Sequence, residues 1–396
     1  MYRPNTTCRA CGSKKLTPVF DLGAQPLAND FRKEDEERAG HAPLCVMRCH
    51  NCGLGQLSVV VRPEILYSKY SYVTSPSEMM RKHFEQLLAD IKAETGGTSV
   101  LEIGSNDGLL LAMMQEQGFS VLGVDPAENL AEIARSRGVH VQSGFFSEQL
   151  ARLLPKSDIV IARHVFCHVD DWKDFVRGLE AVSNKETIIC IEAPYAADTL
   201  KKCEFDQCYH EHLSFLSIQA MQALLAETSL HIHRIFQYPI HGGAIMIMLR
   251  TNDCGINPHP SVSGFKEDIT AEDWKAFAVE ARSQIDRLRA TVTSLIAQGK
   301  RVAGIGASAK STVWVNACGF TRNEIAFIAD STPQKLYTTS PGTNIPIVDE
   351  GAIMRELPDY VVMWAWNYRD ELLEKFSLAR SKGVKFIVPV PAITIV

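Results

Sequence analysis

Nowhere in the 396 residues does an uninterrupted apolar run approach the eighteen or so that would cross a bilayer, and the first residues, Met-Tyr-Arg-Pro-Asn-Thr-Thr-Cys8, lack the apolar core of a signal peptide. A cytoplasmic protein with no membrane partner is expected. There is no basic surplus either. A net charge of -5 offers little to grip a phosphate backbone, so nucleic acid is not an expected partner. No Gly/Ser, Gln/Asn or Pro tract runs beyond a few positions, and 46% hydrophobic with 22% charged residues excludes wholesale disorder. At roughly 100 to 200 residues per domain, the chain should hold two to four domains. A secreted disulfide framework is also missing. Of the 11 cysteines, Cys45, Cys167, Cys190, Cys203, Cys208, Cys254 and Cys318 stand singly among apolar or strand-like neighbours and read as reduced, mostly core thiols.

The remaining cysteines form Cys8-x-x-Cys11 and Cys49-x-x-Cys52, followed by Gly12 and Gly53, the outline of two knuckles closing on one tetrahedral metal. Redox dithiols are the rival reading. Neither pair opens a helix in a thioredoxin-like context, however, and a thiolate quartet suits Zn²⁺. Cys45 and His50 lie close enough to compete as ligands, but neither keeps the two-residue gap. Four thiolates fill the coordination shell, so a structural zinc that folds residues 1–62 is expected, with no position for a catalytic water. A zinc ribbon can also bind nucleic acid, but the charges here are mixed. The run Arg32-Lys33-Glu34-Asp35-Glu36-Glu37-Arg38 reads as a solvated face.

Residues 76–94 carry Met79, Met80, His83, Phe84, Leu87, Leu88 and Ile91 on one helical stripe, the pattern of a core helix. From residue 98 apolar strands and helices alternate. Strands are expected at 98–103, 120–125, 139–142, 158–163 and 187–192, which implies a parallel doubly wound sheet. The runs 231–238 and 243–250 read as a hairpin, and an antiparallel hairpin closing a parallel sheet is the ending of a class I methyltransferase. Thr251 to Ser263 reads as a linker. A long helix near 271–297 then leads to strands at 301–306, 324–329, 360–364 and 385–389, with a helix over 368–382 between the last two. The fold class is α/β in three parts: a zinc-binding module (1–62), a class I methyltransferase Rossmann-like domain (63–252) and a second Rossmann-like, substrate-binding domain (253–396).

Val100-Leu-Glu-Ile-Gly-Ser-Asn-Asp-Gly108 places Gly104 at a strand end, where a backbone without a Cβ lets a ligand approach. Asp125 ends the next strand, where a carboxylate can take both hydroxyls of a ribose. A dinucleotide is the rival ligand, but the Gly-x-Gly-x-x-Gly spacing is absent. Glu102, a carboxylate inside the strand, needs a partner; resemblance to methyltransferases, where this position braces the glycine loop or the amino-acid end of S-adenosylmethionine, implies that role here. The expected cofactor contacts are Glu102, Gly104, Ser105, Asn106, Gly108, Asp125, Pro126, Phe146, Arg163 and His164. In the C-terminal unit, Gly304-Ile-Gly-Ala-Ser-Ala-Lys310-Ser311 has Ala309 where a nucleotide-hydrolysing P-loop wants glycine. Its N–H groups and Lys310 could still hold phosphates of a substrate. The densest chemistry is Tyr209-His210-Glu211-His212, whose rival reading as a second metal site lacks a third well-spaced ligand. His168, after Arg163-His164, should line the same crevice.

Across the chain, the paired cysteines, Phe20-Asp-Leu-Gly-Ala-Gln-Pro-Leu-Ala-Asn29, Leu66-Tyr-Ser-Lys-Tyr70-Ser-Tyr72, Val100 to Gly108, Gly123-Val-Asp-Pro-Ala127, Glu192-Ala-Pro-Tyr195, Phe205 to Ser214, His241-Gly-Gly243, Pro341 to Pro346 and Ala365-Trp-Asn-Tyr368 form a co-linear series. This series resembles the sugar C-methyltransferases of branched deoxysugar pathways, the group with the tetronitrose and mycarose C-3 enzymes. It departs from their usual Ser-Leu-Arg after His-Gly-Gly, with Ala244-Ile-Met, and from Ala-Pro-Ala-Lys-Gly in the C-terminal turn. The resemblance implies a nucleotide-linked 4-keto sugar bound between two Rossmann-like domains, with Tyr209, Glu211 and His212 around its reacting carbon. A sugar carbon becomes a nucleophile only when a neighbouring ketone lets a base remove its proton. His212 is the expected base, and such help is worth roughly 10²- to 10⁴-fold. Glu211 would orient it, Tyr209, Tyr70 or Tyr72 would bond the enolate oxygen, and His168 would position the sugar. The expected catalytic residues are thus His212, Glu211, Tyr209 and His168, and Tyr70, Tyr72, His241 and Lys310 are expected to contact substrate. S-Adenosylmethionine and Zn²⁺ are the expected cofactors, and a monomer is expected. Oxygen or nitrogen methylation of another small metabolite is the alternative, and a non-catalytic zinc-ribbon protein that binds nucleic acid is a more distant one.

Overall fold

Strand β1 (Ser99–Ile103), a run of apolar residues broken only by Glu102, is buried from its second residue onward, as the central strand of a parallel sheet must be. It is joined by β2 (Ser120–Asp125), β3 (Val141–Ser143), β4 (Ile159–Arg163), β5 (Ile188–Pro194), β6 (Leu230–Tyr238) and β7 (Ala244–Thr251) in the spatial order 3-2-1-4-5-7-6. Strands β3, β2, β1, β4 and β5 are parallel, and β7 runs antiparallel to both β5 and β6. The expected closing hairpin is therefore present. The chain winds away from β1 in both directions, and that reversal opens a crevice at the carboxyl ends of β1 and β4. The structure, a computed structural model, describes residues 1–67 and 78–396. Helix Glu78–Lys92 buries the expected stripe of Met80, His83, Phe84, Leu87, Leu88 and Ile91.

The second sheet holds β8 (Val302–Ile305), β9 (Ile328–Asp330), β10 (Ile347–Asp349), β11 (Tyr360–Met363), β12 (Lys385–Val388) and β13 (Thr394–Ile395) in the order 10-9-8-11-12-13. Strands β10 and β13 escaped the sequence reading because runs of two or three residues carry no periodicity. Helix Ala271–Ala297 starts at a Thr270/Asp273 capping box. The helix expected over 368–382 is instead a short turn, Trp366–Tyr368, and two helices, Arg369–Lys375 and Ser377–Ser381. Leu372, Phe376 and Ala379, at i, i+4 and i+7, still share one face in the core against the sheet across the break. The linker also contains a short helix, Pro260–Gly264, with proline at its first position. Among the described residues, no helix is long and apolar enough to cross a membrane.

In the N-terminal module, Leu16–Pro26, His41–Cys49 and Gly55–Leu57 form an antiparallel sheet whose fourth strand is Ser214–Phe215, supplied from between β5 and β6. Phe20, Leu44, Val46 and Leu57 share one core with Phe205, Phe215, Trp274, Phe277 and Trp314, so the three parts are packed together. The charged run at 32–38 is a solvated face only over Lys33 to Glu37. Arg38 donates to the Asp30 carbonyl at 2.7 Å and to the Thr339 hydroxyl, and Arg32 bridges to Thr339. The guanidinium fork can satisfy several acceptors at once, which lets a nominal surface residue stitch a seam to the C-terminal domain.

Gly55 carries the strand that pairs with Phe215, and a Cβ there would lie 2.3 Å from Trp274 Cζ2. Gly55→Ala is expected to destabilise the protein by about 1–3 kcal/mol through overpacking. A thermal or denaturant melt unchanged from wild type would show that the helix can retreat.

Candidate active site and zinc site

The crevice at the sheet's carboxyl edge is a cavity of about 500 Å³, walled by all three parts of the chain. On the sheet side, Gly104 has φ +71°, and a Cβ on it would meet Val165 Cγ2 at 2.7 Å. The glycine is therefore required first by Val165 and by its left-handed backbone, not simply by an approaching ligand as its position suggested. The Asn106 N–H donates to Asp125 Oδ2 at 2.8 Å and the Ala127 N–H to Oδ1 at 2.9 Å. Burial pushes the Asp125 carboxyl up to about 6, opposed by these two N–H groups. Each oxygen retains acceptor capacity, which fits a ribose diol. Glu102 is buried 3.4 Å from the Arg163 guanidinium, which stacks 4.1 Å above Phe84. Burial raises Glu102 to about 7 despite Arg163.

The second wall is the loop after the turn Phe205–Gln207. A carbonyl can only accept, so His212 Nδ1 carries its proton to the Gln207 carbonyl at 2.9 Å, and Nε2 accepts the Tyr209 hydroxyl at 2.6 Å. Burial, with His168 close by, holds His212 well below the usual imidazole range. It is therefore a neutral ring with its basic nitrogen aimed at a phenol. The His168 ring lies 5.2 Å from that of His212, and its Nδ1 meets the Tyr67 hydroxyl at 3.1 Å. Burial pushes His168 down to about 3. Glu211 is buried behind this layer and accepts Asn29 Nδ2 at 2.7 Å. Cys167, His168 and His212 bring ligand atoms within 4.8 Å of one another, so the third ligand that the sequence lacked is Cys167. Both His212 nitrogens and His168 Nδ1 are already hydrogen-bonded, which favours proton chemistry over metal binding at this cluster.

The third wall is the C-terminal domain. Lys310 Nζ lies 4.1 Å over the Trp366 ring and 3.5 Å from the His241 carbonyl. Lys335 is buried, donates to the Ala307 carbonyl at 2.7 Å and also lines the cavity. Burial lowers it from the usual lysine range, opposed by Asp330 and Glu211. Sequence reasoning missed both Lys335 and Asn29. Lys335 had a usable signal in its place just after the strand-end acid Asp330, whereas Asn29, which ends the Phe20–Asn29 segment of the resemblance, gave no sign of its partner, because only the fold carries the N-terminal module to the crevice.

At the far side of that module, Cys8 and Cys52 sulfurs lie 3.4 Å apart and those of Cys11 and Cys49 3.6 Å, with all four within 4.8 Å. A zinc tetrahedron with Zn–S bonds of about 2.3 Å has edges of similar length, so this donor set fits the metal. Gly12 at φ +71° and Gly53 at φ +73° close the two turns. His50 instead meets the Thr17 hydroxyl at 2.5 Å, and Cys45 stands outside the cluster.

The chain is 31% identical to the C-methyltransferase NovU of Streptomyces niveus over 407 aligned positions, spanning 99% of this chain and 97% of that protein. It belongs to the C-methyltransferase family. Family models agree part by part. "Putative zinc binding domain" matches residues 8–67, "Methyltransferase domain" 77–235 and "C-methyltransferase C-terminal domain" 239–391. A methyltransferase of Oceanobacillus iheyensis, OB1106, is 27% identical over 24% of this chain and 44% of its own length. The magnesium protoporphyrin IX methyltransferase of Synechocystis PCC 6803, solved with bound S-adenosylmethionine, aligns at 14% identity over 43% of this chain and 79% of its own, with a TM-score of 0.35. The enzyme is thus an S-adenosylmethionine-dependent methyltransferase with a zinc-binding N-terminal domain.

In this C-methyltransferase the fold gathers Gly104, Asn106, Asp125, Pro126, Phe146, Arg163, His164, His168, Tyr209, His212, His241 and Lys310 around one cavity. Glu102, Ser105, Gly108 and Glu211 stand behind its wall, so any influence they have passes through neighbours. Tyr70 and Tyr72 lie outside the described residues.

Asp125→Ala should weaken S-adenosylmethionine binding by about 1.5–3 kcal/mol, as for hydrogen bonds to a charged acceptor. Wild-type affinity should also fall as pH drops through about 6, where the carboxyl protonates and loses acceptor capacity, while Asp125→Asn should bind with little pH dependence. Calorimetry across pH 5–8 checks both. Cys8→Ser should leave less than one zinc per chain by elemental analysis and lower the melting temperature, since metal binding and folding are linked.

Proposed function

We propose that the enzyme transfers a methyl group to the carbon beside the ketone of a nucleotide-linked 4-keto deoxysugar. One observation carries the reading: a single cavity joins a strand-end carboxylate, a histidine paired with a phenol, and two lysines from another domain. Asp125, Asn106 and Pro126 at the carboxyl ends of β1 and β2 would hold the ribose of S-adenosylmethionine, with Phe146, Arg163 and His164 around the rest of the cofactor. Bound there, the cofactor supplies an activated methyl electrophile. Lys310, Lys335 and the N-terminus of helix Ala309–Cys318 would take the charged end of the nucleotide sugar. His241, beside Lys310, would contact the sugar.

The proton then has a defined route. Tyr209 already occupies His212 Nε2 at 2.6 Å and both rings line the cavity, so a proton taken at the phenol can pass on to the imidazole. Tyr209 oxygen takes the proton of the acidic carbon while its own passes to Nε2, and the resulting imidazolium keeps its Nδ1–H on the Gln207 carbonyl. The substrate is left as an enolate whose carbon can attack the methyl. Burial that keeps His212 neutral also weakens it as a base, so the pair relies on placement, with the Gln207 carbonyl and the adjacent enolate stabilising the imidazolium that forms. Glu211, held by Asn29, sits behind His212, and His168, anchored by Tyr67, faces the sugar.

Incubation with labelled S-adenosylmethionine and a panel of nucleotide-linked 4-keto sugars tests the substrate, and absence of labelled product from all of them would reject it. The wild-type enzyme with an unreactive cofactor analogue should exchange the substrate's acidic proton for solvent deuterium. Tyr209→Phe and His212→Ala should each slow exchange and methylation by roughly 10²-fold or more, with S-adenosylmethionine affinity unchanged. Oxygen or nitrogen methylation would proceed with no exchange. Rapid exchange by Tyr209→Phe would place His212 in direct contact with the carbon.

A further inference from the structure

Two sequence motifs that no step above uses meet inside the protein. Asp206 is the middle residue of the turn Phe205–Gln207, before the loop that carries Tyr209 and His212, and its side chain is fully buried. Its Oδ2 accepts two indole N–H bonds, from Trp314 at 3.0 Å and from Trp366 at 2.7 Å. Both tryptophans belong to the C-terminal domain, 108 and 160 residues away. Trp314 follows Lys310 by one turn on helix Ala309–Cys318, and the Trp366 ring is the platform beneath the Lys310 ammonium. On the other side, Gln207 is the neighbour of Asp206. Its carbonyl holds His212 Nδ1–H, and its side-chain amide donates to the His241 carbonyl at 3.0 Å.

One carboxylate oxygen thus links the platform of the substrate-facing cation to the segment that orients the proton acceptor. The link is stiff. Hydrogen bonds to a charged acceptor are the stronger kind, an indole ring turns about only two torsions, and two donors converging on one atom fix that atom in two directions. A purely space-filling contact would need neither the charge nor the convergence.

We propose that Asp206 is a positioning residue that sets the span between the reacting carbon at Tyr209 and His212 and the anionic group of the acceptor at Lys310. The enzyme then selects acceptors whose negative charge lies at one distance from the acidic carbon. This rests on the reading of the acceptor as a nucleotide-linked keto sugar. Asp206→Leu keeps the size and removes both acceptors. Trp366→Phe removes one donor but leaves a ring under Lys310. Asp206→Asn can present its carbonyl oxygen to both indoles.

Steady-state kinetics with the full chain should show KM for the nucleotide sugar about tenfold higher or more in Asp206→Leu and Trp366→Phe, with Asp206→Asn within about threefold of wild type. S-Adenosylmethionine affinity and zinc content should not change. The preference for a nucleotide-linked over an uncharged keto sugar should shrink in the first two variants. If Asp206→Leu fails to fold, as zinc content and melting would reveal, Trp366→Phe decides alone. Wild-type KM and acceptor preference in Trp366→Phe would overturn the proposal. A separate readout covers failure of the substrate reading itself, which would appear as a wild-type enzyme that methylates no nucleotide sugar. In ¹⁵N-tryptophan-labelled protein, the Trp314 and Trp366 indole N–H resonances should both shift in Asp206→Asn. Unshifted resonances would overturn the tie whatever the acceptor is.

Discussion

The loop that carries Tyr209, Glu211 and His212 ends as a strand of another module's sheet, and the geometry of the site depends on that pairing. Ser214 and Phe215 pair with Gln56 and Gly55, the Leu57 N–H reaches the Leu213 carbonyl at 2.9 Å, and the His210 ring donates to the Ala42 carbonyl at 3.1 Å. Backbone ladders have short, fixed spacings, so the register of that strand sets where the loop's side chains fall. The cysteine knuckles pack with Leu216, Ile218 and Met221 immediately after the strand. A zinc-binding site remote from the cavity thereby braces the loop that carries Tyr209 and His212.

Burial does the electrical work. His168, His212 and His241 are all pushed below the usual imidazole range, chiefly by desolvation and partly by His164. Under the proposed reaction, a cavity that receives a cationic sulfonium and draws a proton from carbon would benefit from imidazoles that begin uncharged. Apart from Arg163, which is paired with Glu102, the cationic side chains of the cavity lie on the C-terminal wall, at Lys310 and Lys335, where an anionic substrate group would be held. The separation follows from the architecture: each Rossmann-like sheet contributes its own carboxyl edge to the shared crevice, one with acids and histidines and the other with lysines.

Not every buried charge is part of this division. Glu192 at the end of β5 is fully buried between His83, 2.7 Å away, and His164, 3.1 Å away, and those imidazoles hold it below the usual carboxylate range against the pull of burial. His164 has φ +49°, a strained backbone for a histidine, and lines the cavity. This cluster fixes helix Glu78–Lys92 against the sheet and explains why His83, which lies on an apolar stripe, is a satisfied core residue.

By itself the sequence determined the three-part organisation, the alternation that makes two Rossmann-like sheets, the cysteine quartet and the polar residues of the sheet edge and of the Tyr209–His212 loop that line the cavity. These are local properties: periodicity, strand-end glycine and acid, and cysteine spacing each act within a few residues. Tertiary structure decided the rest. Only the fold shows that Asn29 reaches Glu211, that Lys335 joins Lys310, that Cys167 stands beside His212 and that Asp206 binds two tryptophans, because those partners are brought together across long stretches of chain. It also decided which nitrogen of His212 is basic. That follows from the Gln207 carbonyl, an acceptor whose direction is set by the backbone and is written in no side chain.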